Sequence, residues 1–191
     1  HKLMTVKVES EVLRETQLVV CLLFQYAGMS FVDFAHLKER NIKNGILDYN
    51  RQKTGTPMRL EILDTAELMR KELMGDKKPA SGYLFPFLRG TKTGYEAYLE
   101  YNAALSRFNR NLKALKKAAG IASDVTSYTI RHSFAMALKE QNVPIEMISE
   151  LLGHKSIKTT QIYLRSFSLE KMTEVNSTCF GCVYNYVSKV G

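Results

Sequence analysis

Tryptophan is absent from the 191 residues, and proline (four), cysteine (three) and histidine (four) are scarce. Three cysteines do not make a disulfide framework, and four prolines with 11 glycines leave no collagen-like or low-complexity stretch. Cys179 and Cys182 form one CxxC near the end. A zinc ribbon needs a second ligand pair, and a redox CxxC normally opens a helix in a thioredoxin-like setting. Both contexts are missing, so these cysteines, with Cys21 in an apolar helical run, read as reduced and structurally incidental. His36 and His132 have no partner at metal-ligand spacing, and no metal is expected.

Long apolar runs are missing too. The longest, 18–24, is about a third of the ~20 residues of a spanning helix, and 1–8 lacks the apolar core of a secretory signal. A cytoplasmic protein with no membrane partner is the expectation. Acidic residues are under-represented, with 19 Asp and Glu against 27 Lys and Arg, a formal charge of +8 and a pI near 9.3. That surplus suggests a polyanionic partner such as nucleic acid.

What is present is 45% hydrophobic residues, enough for one buried core. Apolar spacing predicts helices over 10–27, 30–38, 65–74, 95–119, 127–141, 144–153, 157–164 and 168–175. Two strands, 46–53 and 58–63, are joined by the turn residues 54–57. Asp64 is placed to cap the helix at 65, with Glu67 completing a capping box, and Pro144 suits a first helical position. The connection 75–94 lacks a period, but its Tyr83–Leu88 run is apolar enough to lie on the core. The fold class is mainly α with a small antiparallel β-sheet, organised as a flank (1–9), one domain (10–175) and a tail (176–191). The opening reads as starting inside a longer protein.

Three segments gather functional side chains. Thr126–His132 puts Arg131 near a helix N-terminus, where backbone N–H groups and the dipole favour an anion and the guanidinium fork suits two phosphate oxygens. Leu151–Tyr163 has a glycine ending one helix, His154 in the turn, and a tyrosine nine residues on. Arg51-Gln52-Lys53-Thr54-Gly55 places Lys53 at a hairpin tip. Taken singly, Arg131 reads as an ion-paired surface residue, His154 as a helix C-cap, Tyr163 as a half-buried amphipathic side chain and Lys53 as a solvated turn charge. Their joint order is more informative than any one of them.

In that order the chain resembles, over 10–172, the catalytic domain of tyrosine recombinases, the phage-integrase group. The family's hairpin lysine matches Lys53, its His-x-x-Arg-His box matches Tyr128-Thr129-Ile130-Arg131-His132, and its Leu-Gly-His segment matches Leu152-Gly153-His154. Its nucleophile matches Tyr163, and Leu-Leu-Gly-His followed by Thr-x-x-Tyr is its most specific local signature. The segments 28–33 and 84–86 are similar to integrases of conjugative transposons. Two positions depart from the family. Ser30 stands where its first arginine is expected, and Tyr128 where the first histidine of the box lies, though a phenol still hydrogen-bonds a phosphate oxygen. Some conjugative-transposon integrases are similar in lacking that arginine, and Arg14, Arg51 or Arg59 are candidates to supply the charge.

The resemblance implies site-specific recombination, integration or excision, with no cofactor. Tyr163 attacks the scissile phosphate, Arg131, His154 and Tyr128 hold the developing charge, and Lys53 protonates the leaving oxygen. His132 and Asp33 support those groups, while Arg51, Lys155 and Lys158 bind DNA. Double-stranded DNA and other copies of the chain are the implied partners, the 176–191 tail either docking on a neighbouring protomer or folding back. The N-terminal DNA-binding modules usual in the family are not seen, so the chain reads as a fragment. Two rival readings remain. Residues 144–163 have the outline of a helix-turn-helix, which makes the chain a non-catalytic DNA-binding module, and Ser30 suggests a degenerate recombinase that binds without cutting.

Overall fold

The computed structural model describes residues 1–79 and 82–164, with Tyr163 described by its backbone. The expected 168–175 helix, the 176–191 tail, Cys179 and Cys182 lie outside the described residues. The helices are α1 (Lys2–Thr5), α2 (Glu11–Gln25), α3 (Phe31–Ala35), α4 (Asp64–Met74), α5 (Gly94–Ala118), α6 (Ser127–Glu140), α7 (Ile145–Leu151) and α8 (Ile157–Tyr163). Between α3 and α4 lie β1 (Ile42–Lys43), β2 (Ile46–Asn50) and β3 (Pro57–Glu61), an antiparallel sheet in the order β1-β2-β3.

Helix α2 is the centre of the molecule. Every residue from Thr16 to Leu23 is buried, which needs neighbours on all sides, and α4, α5 and α6 pack around it. An aromatic layer joins α3 to α5 and to the 75–94 connection, with Phe31 stacked on Phe108 at 4.6 Å and Phe34 on Phe85 at 4.1 Å. Leu84, Phe85 and Leu88 are buried, as their apolar run predicts. Leu99 is not: 48% exposed, it lies off the buried face of α5, which carries Ala104, Phe108, Leu112 and Leu115.

The sheet follows the period-two rule, with Leu47 and Tyr49 of β2 buried and Met58 of β3 opposite Tyr49. Strand β1 is absent from the sequence reading, although Asn44-Gly45 is a strong two-residue hairpin signal. Both residues have positive φ, +51° and +75°. Asp64 does not cap α4. Leu63 is the N-cap and makes no side-chain cap bond, while the carboxylate of Glu67 accepts from Arg70 at 2.6 and 2.8 Å instead. Pro144 likewise occupies the N-cap of α7, one position before the expected one.

A second, smaller core lies beyond the first. Ala135, Ile148 and Leu152 form it with Phe134, Leu138 and Val143, joining the far half of α6 to α7. Ile130, near the start of α6, belongs to the large core. The face between these two cores carries the functional side chains.

Candidate active site

Each element brings its residue to that face for a local reason. Helix α6 starts with a capping box, Thr126 and Thr129 satisfying each other's ends, and Arg131 follows one turn later with 3% exposure. The α7 end is a Schellman motif. Gly153 N–H donates to Glu150 O at 2.8 Å and His154 N–H to Ser149 O at 3.0 Å, with Gly153 at φ +60°. His154 is thus both a helix-ending residue and a site residue, because the motif fixes its Cα over the cavity.

Arg131 donates from Nη1 to Gly28 O at 2.9 Å and from Nη2 to Leu152 O. Its Nη2 also donates to His154 Nε2 at 3.3 Å. The other ring nitrogen of His154 bonds Thr160 Oγ1 at 2.8 Å, and Thr160 is fully buried. Burial, then the Arg131 and Arg51 charges, push the His154 pKa down to about 4, so the ring is neutral at pH 7. A guanidinium only donates. In this state Nε2 is therefore the acceptor, and Nδ1 carries the hydrogen and donates to Thr160.

Arg51 was expected among exposed DNA contacts and is instead 9% exposed. It follows β2, turns inward, and donates from Nη1 to Leu152 O at 3.1 Å and Gly153 O at 3.0 Å. Its Nε, buried without a hydrogen-bond partner, lies 3.5 Å from Asp33 Oδ2. Asp33 is buried, accepting from Ser30 Oγ at 2.5 Å and from Gln52 N–H at 2.7 Å. Ser30 is the N-cap of α3. Of the three arginines considered as replacements for a cation at Ser30, Arg14 pairs with Glu72 on α4 and Arg59 lies on an exposed face of β3. Arg51 alone of the three reaches the site.

Ser30, Arg51, Lys53, Tyr128, Arg131 and His154 line one cavity of about 350 Å³, with Phe31, Tyr101 and Leu105 as its apolar wall. Lys53 is exposed in the β2–β3 turn and Tyr128 is 59% exposed at the mouth. Thr159 of α8 also lines the cavity, and Tyr163 is the last residue of that helix. His132 is half-buried and does not line it; Lys155 and Lys158 are exposed and precede Thr159 in the chain. Among the described residues no three His, Cys, Asp or Glu side chains gather to hold a metal, and no helix is long and apolar enough to cross a membrane. Two features are not read from the sequence: the burial of Arg51, named there as a DNA contact and as one of three candidates for the missing charge, and the place of the Thr160 hydroxyl. The second was signalled by its place one helical turn before Tyr163.

The mainly helical fold thus gathers a hairpin cation, a buried helix-start arginine and a glycine-histidine turn around one cavity. The chain belongs to the phage integrase family, which matches residues 2–170. It is 33% identical over 140 residues to tyrosine recombinase XerC of Rickettsia typhi, covering 65% of this chain and 44% of that protein. It is 52% identical over 54 residues to tyrosine recombinase XerD of Lacticaseibacillus casei, covering 28% of this chain and 18% of that one. The chain thus spans less than half the length of these relatives. The fold is similar to that of XerA recombinase, with a TM-score of 0.63 and 21% identity over 91% of this chain and 64% of that chain. It is also similar to the Tn1549 transposon integrase solved with circular intermediate DNA, with a TM-score of 0.63 and 15% identity over 88% of this chain and 60% of that one.

Proposed function

We propose that this chain is the catalytic unit of a tyrosine site-specific recombinase, cutting and rejoining double-stranded DNA through a 3′-phosphotyrosyl intermediate. The observation that carries the reading is the convergence of Lys53, Arg51, Arg131 and His154, from three separated segments, on one cavity lined also by the helix that ends in Tyr163. Family membership supports the same reaction.

The Tyr163 oxygen attacks the scissile phosphorus, its proton passing to water. The bond to the 5′-oxygen breaks, and that oxygen takes a proton from Lys53, whose flexible stem at the hairpin tip suits a general acid. Arg131 and Arg51 hold the non-bridging oxygens as charge grows on them, with His154 and Tyr128 as further hydrogen-bond partners. Arg51 takes the role that Ser30 leaves empty. Asp33 positions two parts at once, facing the Arg51 guanidinium and holding the Gln52 N–H next to Lys53. Rejoining is the same step reversed with a new 5′-hydroxyl, so bond energy is conserved and no nucleotide or metal enters this scheme.

The wider claims belong to the same proposal: 10–175 as the catalytic unit, Lys155 and Lys158 on flanking DNA, action by several copies of the chain on that DNA, and a cytoplasmic setting. A helix-turn-helix module accounts for α7 and α8 but gives no reason to bury Arg51 beside Asp33 and Arg131 beside His154. The degenerate reading rests on Ser30, and the position of Arg51 weighs against it.

The test is covalent trapping. Duplexes selected from random sequence by the protein are nicked near each phosphate to make suicide substrates, and a protein–DNA adduct stable to denaturant is sought. The wild-type chain is expected to form one and Tyr163→Phe none. No adduct from wild type, or one from Tyr163→Phe, refutes the assignment.

A further inference from the structure

Thr160 has no part in the scheme above, yet it is fully buried and its Oγ1 lies 2.8 Å from His154 Nδ1. The other face of that imidazole is turned to the clamp, with Nε2 accepting from Arg131 at 3.3 Å. We propose that Thr160 is a positioning residue for His154, its hydroxyl fixing the ring's orientation and serving either neutral tautomer. The inference rests on reading the cavity as a phosphate clamp.

The reason lies in donor and acceptor inventories. With Arg131 facing it, Nε2 presents its lone pair and Nδ1–H donates to Thr160. A phosphate oxygen in the clamp reverses the requirement, because it accepts and Nε2 must then carry the hydrogen. With Nε2 protonated and the ring still neutral, Nδ1 becomes an acceptor and needs a donor behind it. A carboxylate or a carbonyl at that place only accepts, and would hold the hydrogen on Nδ1. A hydroxyl has one O–H and two lone pairs, so it serves in both states by rotating about its C–O bond. One proton leaves Nδ1 and one arrives at Nε2 through water, with no change in net charge. The backbone meanwhile keeps the two groups in register. The Schellman end of α7 sets His154, and Ser156, whose Oγ accepts from Lys158 N–H at 3.3 Å, sets the start of α8 four residues before Thr160.

This choice of partner has a second consequence. A carboxylate behind Nδ1 raises the basicity of an imidazole, whereas a neutral hydroxyl does not. Thr160 leaves His154 a neutral hydrogen-bonding group between two guanidiniums, where an imidazolium would add a third like charge.

The test compares Thr160→Val, which keeps the shape and removes the hydroxyl, with Thr160→Ser, which keeps the hydroxyl. The full chain is labelled with ¹⁵N-histidine, and the ring nitrogens of His154 are identified by their loss in His154→Asn. At pH 7 without DNA, wild type, Thr160→Ser and Thr160→Val are all expected to hold the hydrogen on Nδ1, because Arg131 faces Nε2 in each. Addition of inorganic phosphate is expected to move wild type and Thr160→Ser toward the Nε2–H form and to leave Thr160→Val behind, because its Nδ1 then has no donor. With a trapping substrate, Thr160→Val is expected to cleave about tenfold to a hundredfold more slowly, with DNA binding unchanged and Thr160→Ser within about threefold of wild type. A Thr160→Val chain that moves to the Nε2–H form with phosphate as readily as wild type overturns the proposal, as does a Thr160→Ser chain as slow as the valine one. If the valine chain does not fold, Thr160→Ala is read in the same way. A wild-type chain that never forms an adduct refutes the recombinase reading, while the nitrogen spectra still decide the Thr160–His154 bond.

Discussion

Arg51 and Arg131 donate to the same oxygen, the carbonyl of Leu152, one from Nη1 at 3.1 Å and the other from Nη2. Two guanidiniums therefore meet at one acceptor, with the Asp33 carboxylate facing the outer side of Arg51 at 3.5 Å. On the proposed reading, a phosphodiester in the cavity supplies further negative charge to this pair of cations. The clamp is built during folding, so its donors need little reorganisation when charge develops.

Loss of the Arg51 fork is expected to slow strand cleavage by about a hundredfold to a thousandfold in Arg51→Ala, the range for removing one preorganised oxyanion donor. Arg51→Lys is expected to recover only part, because an ammonium offers a point charge in place of a planar fork. Single-turnover adduct formation on the trapping substrate measures both. Equal rates for wild type and Arg51→Ala would remove Arg51 from the clamp.

Asp33→Asn keeps the shape of the side chain and leaves the Arg51 charge buried without its counter-ion. Breaking a buried pair from one side costs about 3 kcal/mol or more. Urea unfolding is expected to report that loss, and adding Arg51→Met to the same chain is expected to restore part of it. A loss that the second substitution leaves untouched means that Asp33 acts through the Gln52 N–H alone.

At Gly153 a Cβ would lie 2.4 Å from Met58 Sδ and 2.9 Å from Arg51 Cδ, on a backbone at φ +60°. Gly153→Ala is expected to destabilise the fold by about 2–4 kcal/mol, from left-handed backbone strain and overpacking together. Met58→Ala in the same chain relieves the closer contact, and the denaturation midpoints of the two chains measure how much. The double variant is expected to be the more stable relative to the sum of its single changes.

His154 gives a pH dependence with a defined sign. Its pKa falls from the ordinary 6.5 to about 4 on folding, through burial and then the Arg131 and Arg51 charges. Between those values the unfolded chain binds more protons, so the stability linked to this residue is complete above about pH 6.5 and is lost as the pH drops toward 4. His154→Asn is expected to flatten that part of the stability profile, read as the change in unfolding midpoint between pH 7 and pH 5.

The sequence made the helices legible because their apolar periods run over many turns, and the chemistry legible because the Arg131 box and the Gly153-His154 turn are local motifs. Arg51 was legible as a DNA contact and as one of three candidates for the charge missing at Ser30, but its burial was not. Its burial depends on carbonyl oxygens at Leu152 and Gly153, about a hundred positions away in the chain, and no local pattern encodes that approach. Asp64 and Glu67 had the spacing of a capping box, but Arg70 one turn on offered Glu67 a charged partner and the box did not form. Short elements failed for a different reason. The two residues of β1 and the four of α1 are too few to show a period, and their pairing and docking decide them.

The large core holds Ile130 and the small one Ala135, Ile148 and Leu152, so the cavity opens along the seam between two separately packed bodies. Arg131 crosses that seam, binding Gly28 on one side and Leu152 on the other, and Arg51 crosses it from the sheet. The guanidiniums of the proposed phosphate clamp are therefore the same groups that fasten the body carrying α8 to the rest of the molecule. On that reading ligand occupancy and the stiffness of the joint are thermodynamically linked: whatever draws the guanidiniums toward a phosphate also sets how firmly the helix ending in Tyr163 is moored.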